Sequence, residues 1–156
     1  MEQQELYGGH VASTVSTIPT RTLREIRFTV FGEAKPQGSQ EHRFVPSLGR
    51  TVAHEKRTLL DWRKQVAQVA GARAGGSIIE GPVAVEITFF RLRPKSAPKR
   101  VQLPATAPDI DKLARGILDA IQKGVLIRDD SQVVDLVARK RFGAVAGVDV
   151  VVRELG

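Results

Sequence analysis

Two short acidic segments have residue types and spacing suited to chemistry. The first is Pro108-Asp109-Ile110-Asp111-Lys112-Leu113, with aspartates at i and i+2. The second is Arg128-Asp129-Asp130-Ser131-Gln132-Val133, with two adjacent aspartates at the mouth of a predicted strand. Carboxylate oxygens are hard donors that suit Mg2+, and because that ion keeps several waters, two or three carboxylates suffice. The first pair admits two readings. After a proline, Asp109 is a good helix N-cap, and Asp111 is a first-turn acid that suits the helix dipole. Alternatively the two share a cation. Side chains at i and i+2 of a regular helix point about 200° apart and cannot share an ion. In an extended or cap segment they point the same way, so a non-helical Asp109 could turn its carboxylate toward Asp111. In the second pair, neighbours on a strand face opposite sides. One can reach a metal while the other meets solvent or a backbone amide. Zinc is disfavoured, because the chain has no cysteine and its three histidines, His10, His42 and His54, lack ligand spacing.

The elements that must position these acids follow from periodicity. Glu25 to Phe31 alternates polar and apolar residues and reads as a half-buried strand ended by Gly32. The segment Lys35 to Arg50, with Pro36, Gly38, Pro46 and Gly49, reads as a basic loop. A helix is predicted from about Val52 to Ala72, with Leu59, Trp62, Val66 and Val69 on one face. A second strand covers Pro82 to Phe90. A helix from about Asp109 to Gln122 buries Leu113, Ile117, Ala120 and Ile121 and is capped by Gly124. Ser131 to Phe142 and Gly147 to Leu155 read as strands joined in a hairpin through Gly143 to Gly147. The expectation is a single α+β domain over residues 25–156, a small mixed sheet with two helices packed on it in the order β-α-β-α-β-β. Residues 1–24 read as a flexible tail.

Composition narrows the function. The chain has 156 residues and a net charge of +7, which suits a polyanionic partner such as nucleic acid. Between Ala34 and Pro108 stand thirteen Lys or Arg and five acids, whereas seven of the eight aspartates follow Pro108. A nuclease needs both halves: cations for the phosphate backbone and carboxylates for a metal. The absence of cysteine excludes a disulfide framework and a cysteine nucleophile. No apolar run reaches the roughly 18–20 residues that span a bilayer, and the start Met1-Glu2-Gln3-Gln4-Glu5 is acidic, unlike a secretory signal. A protein of the cytoplasm, of a bacterial cell or a phage-infected host, with no membrane partner is expected.

The two acidic segments together resemble the RusA-type Holliday-junction resolvases, whose pattern is Asp-x-Asp-Asn-Leu, a lysine soon after, a Leu-Asp-Ala helix, then Gly and Asp-Asp-x-Gln-Val. Here it stands as Asp109-Ile110-Asp111-Lys112-Leu113, Leu118-Asp119-Ala120, Gly124 and Asp129-Asp130-Ser131-Gln132-Val133. The likeness runs from about Ile26 to Glu154 and is strongest from Pro108 to Asp135. It implies metal ligation by Asp109, Asp111 and Asp130, with Mg2+ as cofactor and Mn2+ as a substitute. It also implies a homodimer acting on branched DNA, four-way junctions above all, in recombination and repair. The family's essential lysine falls at Arg115, and Lys112 replaces its asparagine. Arg115 can hold a phosphate bidentately but cannot readily give up a proton. It also has a plain alternative as a helix salt bridge to Asp111 or Asp119. Asp119, about 15 Å along the helix from Asp109, reads as structural.

Lys35, Arg43, Arg91, Arg93, Lys95, Lys99, Arg100 and Lys112 are the candidate DNA contacts, with shape rather than base sequence as the main cue. The segment Arg91 to Pro108 holds four prolines, five cations and no acid, so it reads as a loop that either becomes ordered on DNA or stays solvated. Three rival functions remain: a less selective magnesium nuclease, a non-catalytic DNA-binding protein whose aspartates only cap a helix, and a basic housekeeping fold, for example an RNA-associated protein, that needs no metal.

Overall fold

A computed structural model describes residues 23–38, 41–54 and 57–156. The elements are β1 (Glu25–Phe31), β2 (Glu41–Val45), β3 (Arg50–His54), α1 (Arg57–Ala74), β4 (Val83–Leu92), α2 (Ile110–Lys123), β5 (Val133–Gly143) and β6 (Gly147–Glu154). Residues 1–22 of the expected tail lie outside the described residues. Arg24, assigned to that tail, belongs to the fold: its guanidinium donates to Ser77 O at 2.9 Å and Ala74 O at 3.3 Å.

The main sheet has the order β1-β6-β4-β5, with β4 and β5 parallel and the other pairs antiparallel. Alternation along the strands decides which face is buried. Ile26, Phe28 and Val30 of β1, Val83, Val85, Ile87 and Phe89 of β4, and Val148, Val150 and Val152 of β6 all point into one core. The helices meet them with Trp62, Val66 and Ala70 from α1 and Leu113, Ile117, Ala120 and Ile121 from α2. Each large aliphatic side chain buried there stabilises the fold by roughly 1.5–3 kcal/mol. On the helix-free face, ion pairs run across all four strands, from Arg27 to Glu25, Arg153, Glu86 and Arg139.

The α+β class, two helices and mixed sheet agree with the sequence reading. Two features differ. The strands β5 and β6 do not form a hairpin, because β4 lies between them and pairs with both. The three residues between Gly143 and Gly147 step across the end of β4, where Leu92 faces Gly143 and Phe90 faces Gly147. A parallel β4-α2-β5 crossover leaves β5 at the sheet edge, and β6 then fills the far side of β4. The second difference is the hairpin of β2 and β3, which occupies much of the expected loop and delays α1 to Arg57. Its strands are five residues each, too short for a clear period.

Gly124 ends α2 as expected, its N–H donating to Ala120 O at 2.8 Å. It serves close packing rather than a left-handed turn. A Cβ there would lie 2.6 Å from Ala67 O of α1, while the positive φ of 60° falls on Val125.

Candidate active site

Asp109 enters α2 as its N-cap with φ −68° and ψ 140°, an extended conformation, yet its carboxylate makes no capping bond. The side chain instead pairs with Lys112 Nζ at 2.9 Å. That contact, reinforced by the charge of Asp111, raises the pKa of Lys112, so the ammonium stays charged. Asp111 stands exposed in the first helical turn. The two carboxylates therefore lie at the positive end of the helix with neither one closing off the backbone amides.

Long-range contacts fix this corner. Lys140 of β5 donates to Thr106 O at 2.8 Å and Pro108 O at 3.1 Å. Arg91 of β4 donates to Ala107 O at 2.6 Å. From the segment after β1, Gln37 N donates to Lys112 O at 2.9 Å. Lys140 and Gln37 are positioning residues that the sequence reading missed. Their contacts join residues 32 and 75 positions apart, and no local spacing encodes them.

The second acidic pair divides its roles by backbone geometry. Asp129 caps a 3-10 turn, Asp130–Gln132, and accepts from Ser131 N at 2.9 Å; hydrogen bonding from the Ser131 side chain and then its backbone lowers the Asp129 pKa. Gln132 ties the turn down. Its Oε1 accepts from Arg128 N at 2.7 Å and Asp129 N at 2.9 Å, while its Nε2 donates to Ile79 O at 2.9 Å and Gly81 O at 2.8 Å. Asp130 is left exposed beside this knot.

The two pairs do not meet within one chain. Gln122, in the last turn of α2, lies 3.5 Å from the Asp129 carboxylate, whereas Asp109 and Asp111 start the helix. A 14-residue helix separates them by about 20 Å. Among the described residues, no group of three or more His, Cys, Asp or Glu is placed to hold a metal ion. The donor chemistry of the Asp109 and Asp111 pair suits a hard cation with retained water.

The remaining assigned residues fall into distinct environments. Arg115 is exposed and forms no ion pair among the described residues, so neither expected helix salt bridge is made. Asp119 pairs instead with the buried Arg63 at 3.1 Å, a structural role. Lys35 pairs with Glu33 at 2.9 Å. Arg91 and Arg93 direct guanidinium donors to backbone carbonyls of the loop after β4, with Arg93 reaching Val101 O and Pro98 O at 2.6 Å each. These bonds order that loop from within. Lys95, Lys99 and Arg100 are exposed on it. The side chain of Arg43 lies outside the described residues.

Comparison with known proteins places this architecture. The profile described as endodeoxyribonuclease RusA matches residues 33–153, most of the chain and every element around both acidic pairs. The chain belongs to the RusA endodeoxyribonuclease family. It is also 32% identical over 144 residues to the uncharacterized protein YqaN of Bacillus subtilis (strain 168), covering 83% of this chain and 96% of that protein. The RusA match begins after β1, so that strand of the main sheet lies wholly outside it. Among the described residues, no helix is long and apolar enough to cross a membrane.

Proposed function

We propose that this chain is a Mg2+-dependent endonuclease that resolves Holliday junctions as a homodimer, with each metal site shared between two subunits. The observation that carries this reading is the placement of the two acidic pairs at opposite ends of α2, beside an unpaired edge strand. β5 is that edge, and it exposes Val134, Leu136 and Val137 at 60%, 46% and 40%. Exposed apolar edges invite strand pairing. The first residues of β5 follow Asp130 directly, and Lys140 near its end holds the backbone next to Asp109. Antiparallel pairing of β5 with its copy reverses one strand against the other. Asp109 and Asp111 of each subunit then face Asp130 of the partner subunit, and two-fold symmetry yields two sites. Symmetric cutting of two strands needs two such sites.

Asp109, Asp111 and Asp130 would hold the ion, with Mn2+ able to replace Mg2+. Bound there, it supplies Lewis acidity and a water of lowered pKa. Arg115 lies one turn beyond Asp111 and grips a phosphate oxygen through its guanidinium, stabilising the charge that grows in hydrolysis. It donates no proton at neutral pH, so protonation of the leaving oxygen falls to solvent. Lys112 adds positive charge next to Asp109. Lys95, Lys99 and Arg100 contact the DNA backbone farther out and set its register.

The test compares a four-way junction with a matched linear duplex, with and without chelator. The junction is cut preferentially, chelation stops cutting, and Asp109→Asn or Asp130→Asn lowers the rate at least about 100-fold, beyond what losing an outer-shell partner costs. Both variants still bind the junction. Equal cutting of both substrates, or cutting that survives chelation, overturns the reading.

A further inference from the structure

The loop after β4 does more than carry charge, because it encloses an apolar pocket. Its walls include Leu92, Pro98, Val101, Leu103, Pro104 and Phe142. Leu92 and Leu103 are 58% and 55% exposed, so the pocket presents apolar surface to solvent rather than hiding it. We propose that it receives one unstacked base of the bound DNA strand, adjacent to the phosphate that is cut. This inference rests on the nuclease reading above and adds base recognition to it.

Charge identifies the occupant. No acid occurs between Glu86 and Asp109, and Lys95, Lys99 and Arg100 stand exposed on the same loop. A ligand that is apolar and flat while belonging to a polyanion is a nucleobase on its phosphodiester chain. An acidic peptide would match the cations without filling the apolar walls. Ser96 and Thr106, both hydroxyl-bearing residues able to donate and accept, also line the pocket.

The pocket is preformed. Arg93 lies over the Phe142 ring at 5.3 Å from its centroid and is locked by Val101 O and Pro98 O. Arg93 thereby braces Phe142, which lines the pocket. Gln102 donates to Lys99 O at 2.8 Å, and Lys140 holds Thr106 O, so the walls need no DNA to take shape.

Position links the pocket to the chemistry. Thr106 lines it, and Asp109 follows three residues later, within roughly 10 Å of chain. That is a reach of one or two nucleotides along an extended strand. Bases at a branch point are the easiest to unstack, because their stacking is already interrupted.

The experiment uses the full-length protein and junctions carrying 2-aminopurine at single positions around the branch point, with Ca2+ in place of Mg2+ during binding. Binding is followed separately by mobility shift. One position should brighten several-fold on binding. Leu103→Lys, which adds a positive charge while spoiling the apolar wall, and Ala105→Trp, which fills the pocket from an exposed site, should abolish that rise. The same variants should narrow the spread of cleavage rates among the four bases at that position. If the wild type binds the junction and no position brightens, or both variants keep the rise, the pocket assignment is overturned and the nuclease reading stands. If the protein binds no junction at all, both fall.

Discussion

The Asp129 carboxylate and the Gln132 carboxamide share the work of holding Asp130 in place. Asp129 satisfies an amide of the 3-10 turn, and Gln132 bridges two amides and two carbonyls from separate segments. Neither group needs to touch a metal to matter. Gln132→Ala removes both donors to Ile79 and Gly81 and leaves half-buried backbone groups unsatisfied, a cost of about 1–3 kcal/mol. Urea unfolding should show that loss, and junction cleavage should fall with binding retained, because Asp130 loses its support. Unchanged stability would mean that the four bonds do not hold in solution. The two acidic segments and Gln132 stood out in the sequence because each cluster sits within a few residues, whereas the metal role of Asp109, Asp111 and Asp130 was read from the family resemblance. Lys140 was not legible. Its role depends on the chain bringing β5 against the segment before α2.

At the scale of elements, the helix-free face of the sheet makes a pH prediction. Hydrogen bonds from Arg153 and then Arg139 hold the Glu86 carboxyl below its ordinary value of 4.5, and bonds from Arg27 and then Arg153 do the same for Glu25. A carboxyl whose pKa is lower when folded contributes stability that is present above the unfolded value and lost as pH falls through the folded one. Melting temperature should therefore decline on acidification below pH 4.5, and Glu86→Gln should flatten that decline by lowering the melting temperature near neutrality, with the two proteins converging in acid. An unaltered acid limb in the variant would show that the ladder is not coupled to folding. The strands and helices of this layer were readable from periods of two and about 3.6. The order of the strands was not, since sequential strands with a short glycine-bounded turn normally pair. Here β4 and its crossover α2 occupy the place that a β5 to β6 hairpin would need. The five-residue strands β2 and β3 escaped notice for a different reason. Prolines and glycines around them mark a loop, and the two strands pair with each other in a sheet separate from the main one.

For the whole molecule, the proposed dimer through the edge of β5 would account for both the separation of the acidic pairs and the apolar surface on that edge. In the isolated chain Leu136 is 46% exposed, and surface substitutions usually change stability by no more than about 0.5 kcal/mol. Leu136→Lys should thus leave the subunit folded, shift sedimentation from dimer to monomer and abolish cleavage. A variant that stays dimeric and active would place the interface elsewhere. The most direct test mixes two inactive chains. One carries Asp109→Asn and the other Asp130→Asn, and the two are co-expressed and purified as a heterodimer through different tags. In a shared site, one of the two centres regains Asp109, Asp111 and Asp130 from unaltered positions, so the heterodimer nicks one strand of the junction while both parent homodimers stay inactive. A heterodimer as inactive as its parents would contradict a site built across two subunits.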